Sequence, residues 1–594
     1  MMSNCTSSLR ILATTDLHMN ITGFNYATNT PGPLSTTPSL AGLAPQIAKA
    51  RAEAEADDRL CLLVDNGDFL QGTPLADWLS MTNHQHAHPM ALIFNTLRYD
   101  AIGLGNHDLD YRMDYLNNFA AQITAPLICS NLRGTGMTNL LSAHTMTRRI
   151  NSSDGMQDIK IGVLSVLPPE TVIWNIEELP EGAQIDDPVT CITQKAKDLR
   201  AQGADLVIVL AHMGLGEQDG KTGIGDWGAT ALARLPCIDV IVAGHTHYRH
   251  PSDWPAARSL DPSVPVIMPG SSASHLGVLD LELKQQRNGQ WRVEDHVARL
   301  RLQTNHSEPK IHSLAAPAHQ LACTYLEESI GHTAERLHSY FALLRPSKIM
   351  ALTARAKTIA VHQAIQGSDL EHLPILATAT ARSLRGAEGP SNFIDIPAGP
   401  VLRRHLAGMV PFTNKVCALI LTSDKLAEWL EQSASAYGLQ SPGAHRQPLL
   451  NPDVPMFVFD AIFGLSYVFD LSKPVGTRVS DLRHNGLPLA DTQRFILATN
   501  HFRAAGGGGY DKITLPAPFV KCTTTITDAL ETALHSDTCL EWMGHSPWQL
   551  KRIGTTATFD TSAAAHSCFD EIATFAPKIR EKTDVGLDRI EIEL

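Results

Sequence analysis

The sequence predicts an α/β protein with two domains joined by a helix. Three observations carry that reading. From about residue 9 to 302, short apolar runs alternate with longer amphipathic segments, the pattern of a layered α/β domain. From about Pro309 to Leu344 the apolar spacing turns helical, with Leu321, Tyr325, Ile330 and Leu337 as its stripe. At 594 residues the chain is too long for one core and long enough for two or three domains. The expected domains are 1–305 and 347–594, with 306–346 as the linking helix.

Taken in order, the apolar runs of the first domain lead into clusters of polar residues. Ile11-Leu12-Ala13 precedes Asp16-Leu17-His18, and Leu60 to Val64 precedes Gly67-Asp68. Gly105-Asn106-His107-Asp108 is the third cluster. Leu206 to Leu210 precedes His212, and Val240 to Ala243 precedes Gly244-His245-Thr246-His247. Side chains at the carboxyl ends of strands in an open α/β sheet converge on one crevice. The Thr-, Pro- and Gly-rich stretch Thr22 to Pro38 reads as a loop at its rim. Beyond the linker, Ile349 to Ile365 and Val401 to Gly408 read as helices. Phe459, Phe463 and Phe469 alternate with other residues as core positions. His84-Gln85-His86-Ala87-His88 has no acidic companion and reads as a solvated loop.

Composition excludes some classes. A formal charge of −13 argues against a nucleic-acid polymer as partner. It leaves room for a nucleotide at a metal site, where ions supply the positive charge. No apolar run is long enough for a transmembrane helix, so no membrane partner is expected. Met1 to Arg10 leaves no space for an export signal, so by sequence the chain reads as cytoplasmic, unless a signal has been trimmed or export takes another route. The sequence leaves the oligomeric state open, with a monomer favoured. The ten cysteines are spread singly, which fits a reducing compartment.

The clustered residues offer oxygen and imidazole nitrogen without thiolate. That donor set suits hard or borderline cations such as Mn, Zn, Fe, Co or Mg, and the sequence leaves the choice open. One shared carboxylate can hold two such ions about 4 Å apart, the geometry of phosphate-ester hydrolysis.

The order D-x-H, G-D, G-N-H-[DE], H, G-H-x-H resembles that of the calcineurin-like metallophosphoesterases. With the linking helix and a second α/β domain, the whole chain resembles the 5′-nucleotidase superfamily. Ala13 to His18, Asn66 to Gly72, Leu337 to Phe341, Asp395 to Gly399 and Ala498 to Ala504 are similar to its 2′,3′-cyclic-nucleotide 2′-phosphodiesterase/3′-nucleotidases. The resemblance implies an N-terminal β-sandwich flanked by helices and a C-terminal α/β nucleotide-specificity domain. It implies one divalent ion among Asp16, His18, Asp68 and His247, and a second among Asp68, Asn106, His212 and His245, with Asp68 bridging. Hydroxide generated between the ions would attack phosphorus. His107 would act as general acid, oriented by Asp110, and Asp108 would hold a ligand histidine in its tautomer. Phe412, in Pro411-Phe412-Thr413-Asn414, and Phe502, in the segment from Asn500 to Gly507, would stack a nucleobase. Asn414 and Asn500 would read its edge or brace the turns, and Asp511 would accept from ribose hydroxyls. Arg403 and Arg404 are expected in surface or linker contacts, and His275 lies near the crevice without an assigned role.

The implied activity is opening of 2′,3′-cyclic nucleotides and removal of the 3′ phosphate from the product. The implied substrate is a small nucleotide. A 5′-nucleotidase or nucleotide-sugar hydrolase of the same architecture is the runner-up, favoured by Asp110. A dimetal thiosulfohydrolase is weakened by Phe412 and Phe502. A nucleotide-binding protein without turnover is the reading from another class. The family usually carries an export signal and is periplasmic, which this N-terminus does not match.

Overall fold

Strand β1 (Thr6–Thr14) is central to the architecture, because it pairs on both sides. The computed structural model describes residues 5–594 except 34–36, 83–86, 176–177, 216–227, 252–263, 383, 387–388, 392, 411–413, 491, 515–516 and 536–546; around 384–391 only the backbone is described. Two compact units result, Met1–Tyr325 and Leu326–Leu594.

In the first unit, β1 runs parallel to β2 (Leu60–Asp65), from Leu9↔Leu60 to Thr14↔Asp65, and β2 runs parallel to β3 (Ala101–Gly103). A hairpin of β4 (His144–Ser152) and β5 (Gly155–Val166) leads into parallel β6 (Leu206–Ala211), β7 (Val240–Ala243) and β8 (Val266–Pro269). Strand β9 (His275–Gln285) returns antiparallel to β1 and pairs with β10 (Trp291–Leu302).

Alternating side chains show that these strands form two layers. Leu9, Ile11 and Ala13 of β1 share one core with Leu62 and Val64 of β2 and with Ile161 and Val163 of β5. Leu206, Ile208 and Leu210 of β6, and Val240 and Val242 of β7, face the same core. The opposite face of β5 to β7 carries Leu164, Val166, Val207, Val209, Ala211, Ile241 and Ala243. It packs on Ile192, Ala196 and Leu199 of α2 (Pro188–Ala201), which follows α1 (Leu40–Ala56) in the chain. Both faces of β6 are covered, so all six of its residues are buried and its sequence reads as one apolar run. This is the expected β-sandwich flanked by helices. Ser39 caps α1 by accepting from the Gly42 N–H, and Asp187 caps α2 by accepting from the Thr190 N–H. Arg10 of β1 grips Asp280 of β9 through Nε and Nη2 at 2.6 and 2.9 Å.

Helix α3 spans Pro309–Leu326 and is shorter than its sequence pattern. Its buried stripe is Ile311, Ala315, Ala318, Ala322 and Leu326, while Leu321 is 45% exposed. Ile330 lies on the strand Ser329–Thr333 and Leu337 on the strand Leu337–His338. Small alanines mark the buried face, so a search for large apolar residues follows the wrong stripe and runs past the helix end.

In the second unit, α4 (Lys348–Ile365) is capped by Ser347. A five-stranded sheet holds β11 (Ile375–Thr380), β12 (Lys415–Thr422), β13 (Asp460–Phe463), β14 (Arg494–Asn500) and β15 (Phe519–Thr525) in the order β13-β11-β14-β12-β15. Phe459, Phe463 and Phe469 are buried in its core. Val401 belongs to the strand Gly399–Leu402, and the helix expected there spans Arg403–Met409. Arg403 pairs with Glu328 and Glu531, and Arg404 with Glu327. Among the described residues, no helix is long and apolar enough to cross a membrane.

Candidate metal centre

The turns that follow β1, β2, β3, β6 and β7 meet at one edge of the sandwich. Backbone hydrogen bonds tie them together. The Asp16 N–H donates to the Gly67 carbonyl and the His18 N–H to the Asp68 carbonyl, each at 2.8 Å. The His212 N–H donates to the Val166 carbonyl at 2.9 Å. Two glycines let the turns after β2 and β3 touch. A Cβ on Gly67, where φ is +93°, would lie 2.1 Å from the Gly105 nitrogen. A Cβ on Gly105 would lie 2.0 Å from Asp68 Oδ1. Asp16, His18, Asp68, His245 and His247 all hold positive φ between 45° and 68°. Such a conformation costs non-glycine residues about 1–3 kcal/mol each and persists where the surroundings enforce it.

Two donor groups result. Asp16, His18 and His247 form one, and Asp68, His212 and His245 the other, each with its donor atoms within 4.8 Å of one another. Asn106 stands beside the second group, its Oδ1 accepting from His245 Nδ1 at 2.9 Å. The structure therefore brings all seven candidate ligands into one crevice.

The tautomers follow from the partners. A carbonyl oxygen only accepts, so His18 Nδ1 donates to the Gln71 carbonyl at 3.0 Å and His212 Nδ1 to the Asn66 carbonyl at 2.8 Å. In the neutral rings the Nε2 lone pairs then face the crevice. His18 Nε2 lies 3.0 Å from His247 Nε2, and His212 Nε2 lies 3.0 Å from Asp68 Oδ2. Asp68 Oδ2 and His212 Nε2 are buried without a hydrogen-bond partner. Lone pairs set against each other at that distance call for a cation between them. The same carboxylates favour a cationic His212, so a proton and a metal ion compete for that place. Burial opposes charge on His212, yet Asp68 and Asp16 outweigh it and push the imidazole up to about 10. Burial likewise opposes charge on Asp16, but His212 and His247 bring its carboxyl down to about 2. The oxygen and imidazole donors fit two divalent ions.

His107 lies beside these groups, its N–H donating to Asp68 Oδ1 at 2.8 Å. Its Nδ1 lies 2.8 Å from Asp110 Oδ2. Burial disfavours the imidazolium, but Asp110 and Asp68 prevail and push it up to about 9. Asp108 differs from expectation. It accepts N–H bonds from Gly105, Asp68, Phe69 and Leu70 at 2.8–2.9 Å, so it braces the turn backbone and holds no histidine. Four converging amides leave no acceptor capacity in line with a ring nitrogen.

Two residues at the site escaped the sequence reading. The Trp174 indole stacks on the His245 ring at 5.5 Å and 16°, and Asn175 Nδ2 donates to Asp110 Oδ1 at 2.8 Å. Their one signal is position, just past a buried strand that ends beside the ligands. His275 contacts Ser274 and Arg249, and His88 is buried with Nε2 2.8 Å from the Tyr115 hydroxyl, which corrects its reading as solvated. His84 and His86 lie outside the described residues.

In the second unit, Phe502 is 44% exposed and lies edge-on to Phe457, itself 43% exposed, at 6.3 Å. Phe412 lies outside the described residues. Asn500 Oδ1 accepts from the Arg503 N–H at 2.7 Å, so that oxygen braces the turn. The Asn414 carbonyl accepts from the Ile526 N–H at 2.9 Å, and Asp511 is exposed at the start of a short helix. His338, Cys568 and Glu571 form a third donor group. Its charges are already answered, because Glu571 accepts from His338 and Arg345 while Arg336 lies 3.6 Å from Cys568 Sγ. Two guanidinium groups make it a poor cation site.

Residues 9–249 match the calcineurin-like phosphoesterase family, and residues 329–514 match the 5′-nucleotidase C-terminal domain. The chain is a two-domain metallophosphoesterase. It is 29% identical to the 2′,3′-cyclic-nucleotide 2′-phosphodiesterase/3′-nucleotidase of Salmonella typhimurium, over 84% of this chain and 82% of that one. It is 26% identical to the trifunctional nucleotide phosphoesterase protein YfkN of Bacillus subtilis, over 95% of this chain but only 40% of that longer one. The 5′-nucleotidase precursor from Thermus thermophilus shares the fold of this metallophosphoesterase, with a TM-score of 0.57 at 18% identity, over 91% of this chain and 99% of that one.

Proposed function

We propose that the chain hydrolyses 2′,3′-cyclic nucleotides to 3′-nucleotides, and 3′-nucleotides to nucleoside and phosphate. The observation that carries the reading is the pair of donor groups, with Asp68 of one 3.9 Å from His18 of the other and His107 beside them. One ion would be held by Asp16, His18, Asp68 and His247, the other by Asp68, Asn106, His212 and His245. When bound, the ions acidify a water and offset the charge that builds on the phosphoryl oxygens. The chain does the rest. The strained turns fix the donor directions, and the Gln71 and Asn66 carbonyls set the histidine tautomers. His107, charged beside Asp110, delivers a proton to the leaving ribose oxygen. Phe502 offers a face for the base, with Phe412 as its proposed partner, and Asn414, Asn500 and Asp511 as polar contacts.

The position of the cleaved phosphate rests on what the named relatives act on, and on the extent of their similarity to this chain. Steady-state assays with Mn²⁺ on 2′,3′-cyclic AMP, 3′-AMP and 5′-AMP test it. Turnover of the first two well above the third is expected. Turnover of 5′-AMP alone would move the assignment to a 5′-nucleotidase.

A further inference from the structure

Strand β5 ends at Val166 without a candidate ligand of its own, yet the chain just beyond it reaches the site twice. Pro168 and Pro169 turn it into a single helical turn, Thr171–Trp174, closed by the Asn175 N–H donating to the Thr171 carbonyl at 2.9 Å. The turn is anchored, because Thr171 and Asn175 are buried.

Asn175 holds the far side of Asp110. Its Nδ2 donates to Oδ1 at 2.8 Å, while Oδ2 faces His107 Nδ1 at the same distance. A carboxylate only accepts, so the amide must present its NH₂ group. Held on both oxygens, the carboxylate cannot rotate without breaking a bond, and the His107 ring is fixed through it. Trp174, the preceding residue, lies flat against His245. His245 is thus bounded by an indole face and by Asn106 Oδ1 at 2.9 Å.

We propose that Trp174 and Asn175 form one positioning element. Asn175 orients the Asp110–His107 pair toward the leaving oxygen, and Trp174 fixes the plane of the His245 imidazole for its ion. The Asn175 half rests on the reading of His107 as general acid. Neither residue needs to touch the reacting atoms.

The test uses the full chain and two readouts. A nucleoside alkoxide needs a proton to depart, whereas p-nitrophenolate does not. Asn175→Ala should lower kcat on 3′-AMP about tenfold with KM nearly unchanged, and lower kcat on p-nitrophenyl phosphate less than about twofold. The isosteric Asn175→Asp, which sets a carboxylate against Asp110, should show the same selectivity. His107→Ala should show it more strongly, at about a hundredfold. In Mn²⁺ titration calorimetry, Trp174→Ala should weaken binding about tenfold, Trp174→Phe should restore it, and Asn175→Ala should leave it unchanged. Equal losses on both substrates, or none, in the Asn175 variants while His107→Ala stays selective would overturn the Asn175 role. Loss of selectivity in His107→Ala itself would overturn the acid reading, and the Asn175 role with it. Wild-type Mn²⁺ affinity in Trp174→Ala would overturn the Trp174 role.

Discussion

Asp68 belongs to one donor group, and its Oδ2 lies 3.9 Å from His18 Nε2 of the other, which places it to bridge in the proposed reading. Its Oδ1 is taken by the His107 N–H, and its Oδ2 is buried without a hydrogen bond. Asp68→Asn keeps the shape and removes the charge. The expected result is loss of at least one ion per chain by metal analysis, and a fall in turnover of at least about a hundredfold. A variant that kept both ions and full turnover would refute the bridging role. The ligand candidates were legible in the sequence because charged and imidazole side chains stand where apolar runs stop, at Asp16 after Thr14 or His212 after Ala211. The carbonyls of Asn66 and Gln71, which set two tautomers, carry no signature in any residue type. Trp174 and Asn175 were equally silent, since an indole after a strand more often packs a core.

The turns after β2 and β3 work as a pair, and Gly105 is where they touch. A methyl group there would meet Asp68 Oδ1 at 2.0 Å and the Asp68 nitrogen at 2.4 Å, neither of which can withdraw without moving a turn. Gly105→Ala should therefore weaken metal binding and activity together and lower stability by about 1–3 kcal/mol, with the far-UV circular dichroism unchanged. A variant with wild-type Mn²⁺ affinity would show that the turn yields easily. At this scale, unbroken apolar runs made β1, β2, β6 and β7 readable, because both faces of these strands are covered along most of their length. Helix α3 was readable in kind but not in extent, because its buried face is built from Ala315, Ala318 and Ala322.

At the scale of a whole folded unit, stability answers to a buried cation in the second unit's own core. Lys357 on α4 is buried, with Nζ donating to the Thr378 carbonyl at 3.0 Å, and burial brings its ammonium down from 10.5 to about 8. Below about pH 8 the lysine is charged in both folded and unfolded chains, and folding carries the full desolvation penalty. Above 10.5 it is neutral in both and the penalty is gone. Stability of the second unit should therefore rise as pH increases from about 8 to about 10, by up to about 3 kcal/mol. Urea unfolding across that range checks it, and Lys357→Met should remove the slope. A flat profile in the parent chain would mean that the ammonium is solvated in the folded state. The two-domain plan was legible because the layered α/β pattern that runs to about residue 302 gives way to a helical stripe from Pro309. Selectivity among phosphate positions was not, because no residue type at the donor clusters marks one phosphate ester from another.

Five of the seven candidate ligands sit in left-handed backbone wells. A mould cast this way owes its shape to the chain and not to its contents. Exchanging one divalent species for another should then leave the main-chain trace superimposable, and chelation should empty the crevice without reshaping it. Which ion is carried would be set by supply, while the chain keeps the same fixed seat for each.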